Sequence, residues 1–351
     1  MAHATARSRS PRVRRRRKKA ELPVNAAADR NVAKMAAAVA GSLSVLRAGV
    51  NREALRIALE RNSPEMAIDA FAWDRWARAF EAVVLPRIGK TMEDAANAAG
   101  AKTVIQKQEG VEKIRLTLKG IFDLLNPRAQ RWAAQFAARF VTRVEENTRH
   151  AMRQVIADAQ AQGTGLRAQA DQLAKILTDT AGLDGPRARA LAQYQSRLWD
   201  SGLNVNVIDQ RVQQMRDRLL MDRAKLIARH ETQDAANAGQ AELWNQAEEQ
   251  GLLPRGWLQE WIVAPPVRRN RVCPICQGMA GQRVPRGQLF VSEYDGSTHE
   301  RPPAHIQCRC ALGLVDPDEV QKYDPNQPRD GQGQWTDTGG GLASSRLTSG
   351  G

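Results

Sequence analysis

Aromatic residues are scarce in this chain: 8 Trp, 6 Phe and 3 Tyr among 351 residues. β-Sandwiches and barrels draw on aromatic and β-branched side chains, so the shortage argues against both, while the abundance of Ala argues for helices. Cysteine is scarcer still, at 4, which excludes a scaffold built from disulfides. Long apolar runs are missing too. The longest uncharged stretch of the N-terminal half, Met35 to Leu46, is broken by Gly41 and two serines. It falls short of the roughly 20 apolar residues that a membrane-spanning helix requires, so no membrane partner is expected. Also absent are a Gly-rich phosphate loop, a G-x-S-x-G elbow and an H-E-x-x-H motif, and with them the usual signatures of nucleotide, acyl-transfer and zincin chemistry. No catalytic residue is assigned, and an enzyme is not expected.

Positive charge is what the chain has in excess. Against 38 Asp and Glu stand 52 Lys and Arg, a net charge of +14. Nine of these cations and no acid lie in residues 1–20, so setting the nine aside leaves +5 for the other 331 residues. Arg12, Arg14, Arg15, Arg16, Arg17, Lys18 and Lys19 are the candidate nucleic-acid-binding residues. Like charges this dense repel one another until phosphates neutralise them and release counterions. A merely solubilising tail is the plainer alternative. A secretory signal is not expected, because Ala20-Glu21-Leu22 leads straight to Pro23 with no apolar segment between. Residues 1–24 are therefore expected to form a disordered polybasic arm.

The length suits two domains, or one with long appendages, and is ample for a buried core. Residues 25–120 form an Ala-rich helical region punctuated by Gly41, Pro64, Pro86 and Gly89. Within it Trp73, Trp76 and Phe80 share one helical face and must pack against something. Val111 to Leu118 alternates apolar and charged residues and fits a short strand or a helix start equally well. Asn126-Pro127 opens a helix, with Asn as cap and Pro in the first turn. Trp132, Phe136, Phe140 and Val144 then follow at spacings of four, a stripe for burial. Further helices are predicted near Leu166–Leu177 and Arg187–Asp200. Ile208, Val212, Met215, Leu219 and Leu226, interrupted by Asp222, predict a long helix to Gln250 with a nearly coiled-coil seam. Six to eight helices thus dominate residues 25–250, with 121–250 as the helical body. Residues 251–316 change character: a β-prone segment (Trp257, Leu258, Trp261, Ile262, Val263) precedes a Pro-, Gly- and Cys-rich stretch. Residues 317–351, Gly- and Ser-rich, are expected to be a disordered tail. The predicted class is mainly α, a multi-helix body followed by a small Cys/His-rich β-containing module.

All four cysteines fall in that module, as Cys273-Pro274-Ile275-Cys276 and His305-Ile306-Gln307-Cys308-Arg309-Cys310. A C-x-x-C step brings two thiolates to one tetrahedral ion, and His305 with Cys308 offers a similar step. Zinc would take four of the five groups Cys273, Cys276, His305, Cys308 and Cys310. Gly278, Gly281, Gly287 and Gly296 supply turns for a knuckle and a small hairpin between the two groups. Two disulfides, free thiols and a redox dithiol are the competing readings. The first needs an oxidising compartment, and the last needs a βαβ setting that is missing. A site filled by four ligands is closed, and closed sites support folds rather than turnover. Glu293, His299 and Glu300 read as solvated loop residues, and His230-Glu231 as a helix-surface or helix-packing pair.

Four segments in order carry a resemblance. They are Phe122-Asp123-Leu124-Leu125-Asn126-Pro127 with its helix through Val141-Thr142 to Thr148-Arg149; Leu226-Ile227-Ala228-Arg229-His230-Glu231-Thr232 followed by Ala235-Ala236-Asn237-Ala238-Gly239; Trp261-Ile262-Val263 leading into Cys273–Cys276 and Gly281-Gln282; and Pro302-Pro303-Ala304-His305 with Cys308-Arg309-Cys310. Together they resemble the phage head morphogenesis family, the Mu F-like minor head proteins, over residues 120–316. The chain departs from the family pattern at His230, where a small hydroxyl residue is usual, and at Ile306, where proline is usual. The resemblance implies a low-copy head component assembled in the bacterial host cytoplasm and located in the virion head. It implies portal or coat protein as partner, and packaged DNA reached through the basic arm. It supplies no catalytic residues. Two other classes compete: a zinc-stabilised DNA-binding protein free in the cell, and a metal-dependent nuclease in which His299 or Glu300 would act.

Overall fold

Residues 23–109, 112–161, 170–264 and 272–316 are described by a computed structural model of the chain. The N-terminal helices are α1 (Pro23–Ala48), α2 (Arg52–Glu60), α3 (Pro64–Asp69) and α4 (Trp73–Gly100). A hairpin of β1 (Val104–Glu109) and β2 (Glu112–Thr117) follows. Next come α5 (Pro127–Ala161), α6 (Ala170–Thr180), α7 (Gly185–Trp199) and α8 (Val205–Glu249). The last part holds β3 (Leu258–Ile262), α9 (Pro274–Gly278), β4 (Arg283–Pro285), β5 (Phe290–Val291), β6 (Thr298–His299) and β7 (Ala311–Val315). The mainly helical class with a small strand-containing module is what the composition predicted. The basic-arm residues Arg12, Arg14, Arg15, Arg16, Arg17, Lys18 and Lys19, and the tail 317–351, lie outside the described residues.

Helix boundaries follow side-chain caps. The Asn126 side chain accepts from the Arg128 backbone N–H at 2.9 Å, as Asn-Pro predicts. Asn51, Asp184 and Asn204 cap α2, α7 and α8 in the same way. Within the open segment 111–118, Glu112–Thr117 resolves as a strand: β2 pairs antiparallel with β1, Val104 opposite Thr117. Two punctuation marks do not punctuate. α1 runs through Gly41, and α4 runs through Pro86 and Gly89 to Gly100. Pro86 lies on the exposed face of α4, so the backbone acceptor it leaves unserved can turn to solvent. Gly89 leaves space for Leu124, which a Cβ would meet at 3.2 Å.

Helices α1 and α4 pack lengthwise on α8, and one apolar cluster takes in residues from α1 through α8, so the 25–120 and 121–250 stretches share a core. Its aromatic spine is the one the periodicity predicts. Trp73, Trp76 and Phe80 touch in succession along α4, and Phe80 meets Phe140 of α5 edge-on at 5.0 Å. Trp132 stacks on Phe136 at 4.7 Å.

The long helix α8 is present, but the coiled-coil seam is not. Its buried line is Ile208, Val212, Arg216, Leu220, Arg223, Ala224 and Ala228, while Met215, Leu219 and Leu226 are half-buried at the margin. Asp222 interrupts nothing, because it lies on the exposed side. The seam fails because two positions in the core are arginines. Arg216 Nε donates to the Asp179 carbonyl at 3.0 Å, and Arg223 donates to the Gly182 carbonyl at 2.7 Å and to Thr148 Oγ1 at 3.0 Å. Both hold the turn after α6, where Gly182 takes φ 83° against Leu43. Burial lowers Arg223 to about 10.

Beyond residue 230 the helix passes between α1, α4 and the C-terminal module. Gly239 is the contact point with α4: a Cβ there would overlap the Met92 carbonyl oxygen. In the module, β3 is the centre of an antiparallel sheet in the order β4-β3-β7, with Trp261 opposite Leu312. β5 and β6 form a separate hairpin. Among the described residues no single helix is long and apolar enough to cross a membrane. α1 and α2 pass that test only as a pair bent by 65°.

Candidate metal centre

Cys273 stands at the N-cap of α9, with Pro274 in the first turn. Its sulfur accepts the Cys276 backbone N–H at 3.3 Å. The short helix returns Cys276 to the interior, where it is 2% exposed. Residues 305–310 approach from the other side. Cys308 N–H donates to the His305 carbonyl at 3.1 Å in a tight turn, and Cys310 leads directly into β7.

All five predicted ligands meet in this place. His305 Nε2 lies 2.9 Å from Cys273 Sγ and 3.2 Å from Cys276 Sγ, and Cys276 Sγ lies 3.6 Å from Cys308 Sγ. The donors form two triads, Cys273/Cys276/His305 and Cys276/Cys308/Cys310, with Cys276 common to both. His305 Nδ1 is 2.8 Å from the Ile306 carbonyl. A carbonyl only accepts, so Nδ1 carries the proton and Nε2 presents its lone pair to the sulfurs. This second contact fixes the tautomer that a metal ligand needs. The four cysteines are free thiols, so the disulfide reading is not the one the structure adopts.

Three sulfurs lie buried together. Contact with Cys276 and Cys310 favours the Cys308 thiolate and lowers its pKa to about 2. Contact with Cys308 drives Cys276 up. Contact with Cys276 favours the Cys310 thiolate, but contact with Cys308 and burial outweigh it and raise Cys310 to about 12. A divalent cation at the same place would stabilise all of them as thiolates, which is the chemistry of a thiolate–imidazole metal site.

The centre is fixed to the helical body at its second half. The Cys310 carbonyl accepts from Gln233 Nε2 and Asn237 Nδ2 of α8, each at 3.3 Å. The Arg309 carbonyl accepts from Asn25 Nδ2 of α1 at 3.0 Å, and the Arg309 guanidinium grips Asp29 through both terminal nitrogens. Beneath the sulfurs, Trp261, Met279, Phe290 and Leu312 pack with Leu243, Trp244 and Ala247 of α8 and Ala96 and Ala99 of α4.

The remaining sequence candidates do not join the centre. Glu293 and Glu300 are exposed, and Glu300 pairs with Arg301. His299 rests against the Trp261 ring with Nε2 at 3.1 Å from Ser297 Oγ. Of the two alternatives for His230-Glu231, helix packing is the one observed. Burial lowers His230, which meets the His305 backbone. Glu231 is 3% exposed, and one oxygen takes Arg143 at 2.8 Å while the other has no partner. Burial outweighs the Arg143 charge and raises Glu231 to about 8. Burial raises Asp234 as well, against the opposing pull of Arg301, which lies over the Trp132 ring at 5.3 Å. This charged seam between α5, α8 and the module escapes a motif search. Its trace in the sequence is the set of acids at 231, 234 and 242, which pair with arginines at 143, 301 and 128.

No family model, curated protein or solved structure matches the chain.

Proposed function

We propose that the chain is a phage minor head protein acting in head morphogenesis, with a closed structural zinc site and no turnover of its own. The observation that carries this reading is the convergence of five Cys/His donors, three of them buried, into one cluster attached to α8 and α1. The Cys276–Cys308 separation of 3.6 Å is near the ~3.8 Å edge of a sulfur tetrahedron with Zn–S about 2.3 Å. Thiolate and imidazole donors suit zinc, which would take four of Cys273, Cys276, His305, Cys308 and Cys310 and fill its coordination with protein. Such a site stiffens a surface and leaves no open position for substrate. The order of the four resembling segments supports a head component near the portal, assembled in the host cytoplasm and carried in the virion. The basic arm gives it a contact with packaged DNA.

Quantitative mass spectrometry of purified proheads and mature particles, beside the infected-cell lysate, tests the reading. Enrichment in particles well below the copy number of the major coat protein is the expected result. Absence from both particles, with abundance in the lysate, would overturn it in favour of a zinc-stabilised DNA-binding protein free in the cell.

A further inference from the structure

We propose that the exposed face of α8 from Arg211 to Arg229 is a second nucleic-acid surface, a rigid line of cations that takes the phosphate backbone of a duplex. Arg211, Arg218, Lys225 and Arg229 are all exposed. At about 100° per residue they fall within ~40° of arc on one side of the helix. The line is some 27 Å long at 1.5 Å per residue, with gaps of about 10, 10 and 6 Å. Duplex DNA presents one charge per ~1.7 Å of axis, so a line of this length faces about eight base pairs.

What distinguishes the four cations is their alignment together with unneutralised charge. Among the described residues none of them makes an ion pair or a side-chain hydrogen bond. Arg128, Arg143, Arg149, Arg153, Arg187 and Arg309, by contrast, hold carboxylates. The line on α8 thus keeps its charge free for an external partner. Between the cations the same arc exposes Gln214 and Asp222 and no apolar side chain. A surface helix that inserts into lipid needs an apolar face beside its cations, so a membrane is not the fitting partner. Asp222 brings the net charge of the arc to +3 and weakens the attraction without cancelling it.

Position relative to the basic arm favours the same partner. α1 runs antiparallel to α8: Arg47 bonds Gln213 at one end, and Gln233 donates to Asn25 at 2.9 Å at the other. The first turn of α1 therefore sits beside Gln233, one helical turn past Arg229, so the basic arm is joined to the chain at the Arg229 end of the line. The inference extends the DNA contact of the proposed function but rests on charge geometry, independent of whether the chain enters a particle.

The test is fluorescence anisotropy of the full chain on a short mixed-sequence duplex across a salt series. Replacing Arg211, Arg218, Lys225 and Arg229 together by Gln is expected to lower the slope of log K against log salt by about 3–4, at ~0.9 per phosphate contact. Asp222→Asn alone is expected to tighten binding. Gln at Arg61, Arg75, Arg78 and Arg255, exposed cations away from the arc, removes equal charge and is expected to leave the slope in place. An unchanged slope in the α8 variant, or an equal fall in the control, overturns the inference. If the slope instead disappears on replacing Arg14, Arg15, Arg16 and Arg17 by Gln, the arm is the whole contact and the proposed function stands without the α8 face. Should the fourfold variant fail to fold, Asp222→Asn decides by its sign, and weaker or unchanged binding there counts against the proposal.

Discussion

Trp76 and Trp261 are both fully buried, yet they are held by different means. Trp76 sits in a relay of rings, 6.1 Å from Trp73 and 5.2 Å from Phe80, which passes contact on to Phe140 of the next helix. The apolar cluster around it draws mainly on helices and runs on through α8. Trp261 has Phe290 at 5.2 Å and His299 at 6.1 Å. Around it the strands are two to five residues long, and much of its apolar floor belongs to α4 and α8. The helical body buries its rings among its own helices, whereas the module is built on shorter elements and completes its core with side chains from its neighbour.

The sharpest way to break this contrast is to remove the proposed metal site. Cys276→Ser takes the residue common to both donor triads. It should abolish bound metal and unfold the module while the helical circular dichroism of the body persists. Structural zinc in small domains contributes about 10 kcal/mol or more, so the loss should be complete rather than graded. Unchanged metal content and an unchanged melting curve would sink the zinc proposal. The converse lesion is Trp76→Ala, expected to cost about 3–5 kcal/mol. It should lower the main helical transition and leave metal content intact. A parallel loss of metal would mean that the two regions unfold as one.

Glu231→Gln probes the seam between them through pH. The folded carboxyl, at about 8, lies above its ordinary value of 4.5. The folded chain therefore keeps a proton that the unfolded chain releases, and stability from this group falls as pH rises between those two values. The variant should equal the parent near pH 4 and exceed it by about 2–4 kcal/mol at pH 8. Denaturant melts at both ends of that range check it, and a constant offset would remove the buried carboxyl from the explanation. Smallest is Asp29→Ala, which loses a pair whose partners are 44% and 40% exposed. A change within about 1 kcal/mol is expected in the module's melting midpoint. A larger loss would put the α1 contact, rather than Gln233 and Asn237, at the centre of the attachment.

The body was legible where burial is apolar and periodic. Trp132, Phe136, Phe140 and Val144 could only form one face of a helix. The Cys/His donors were legible because metal chemistry constrains their spacing whatever surrounds them. The second half of α8 was not. Glu231, Thr232, Gln233, Asn237, Glu242 and Gln246 read as a wet surface and are buried. Several of their partners are backbone carbonyls far away in sequence, Cys310 for Gln233 and Asn237, and Asp123 for Gln246. Local pattern cannot price a polar side chain whose acceptor lies dozens of residues away. The same blindness hid Arg216 and Arg223, which serve the turn after α6 and look like helix surface in the sequence.

Helix α8 is unbroken from Val205 to Glu249, about 67 Å of rod at 1.5 Å per residue. One end is set among α6 and α7, and the other is fastened to the Cys308–Cys310 turn. Helices α1 and α4 pack along it, so the rod is braced against tilting. The Asp179 and Cys310 carbonyls, bonded to Arg216 and Gln233 of this one helix, are therefore held about 26 Å apart along its axis, and the small module keeps a fixed spacing from the turn after α6.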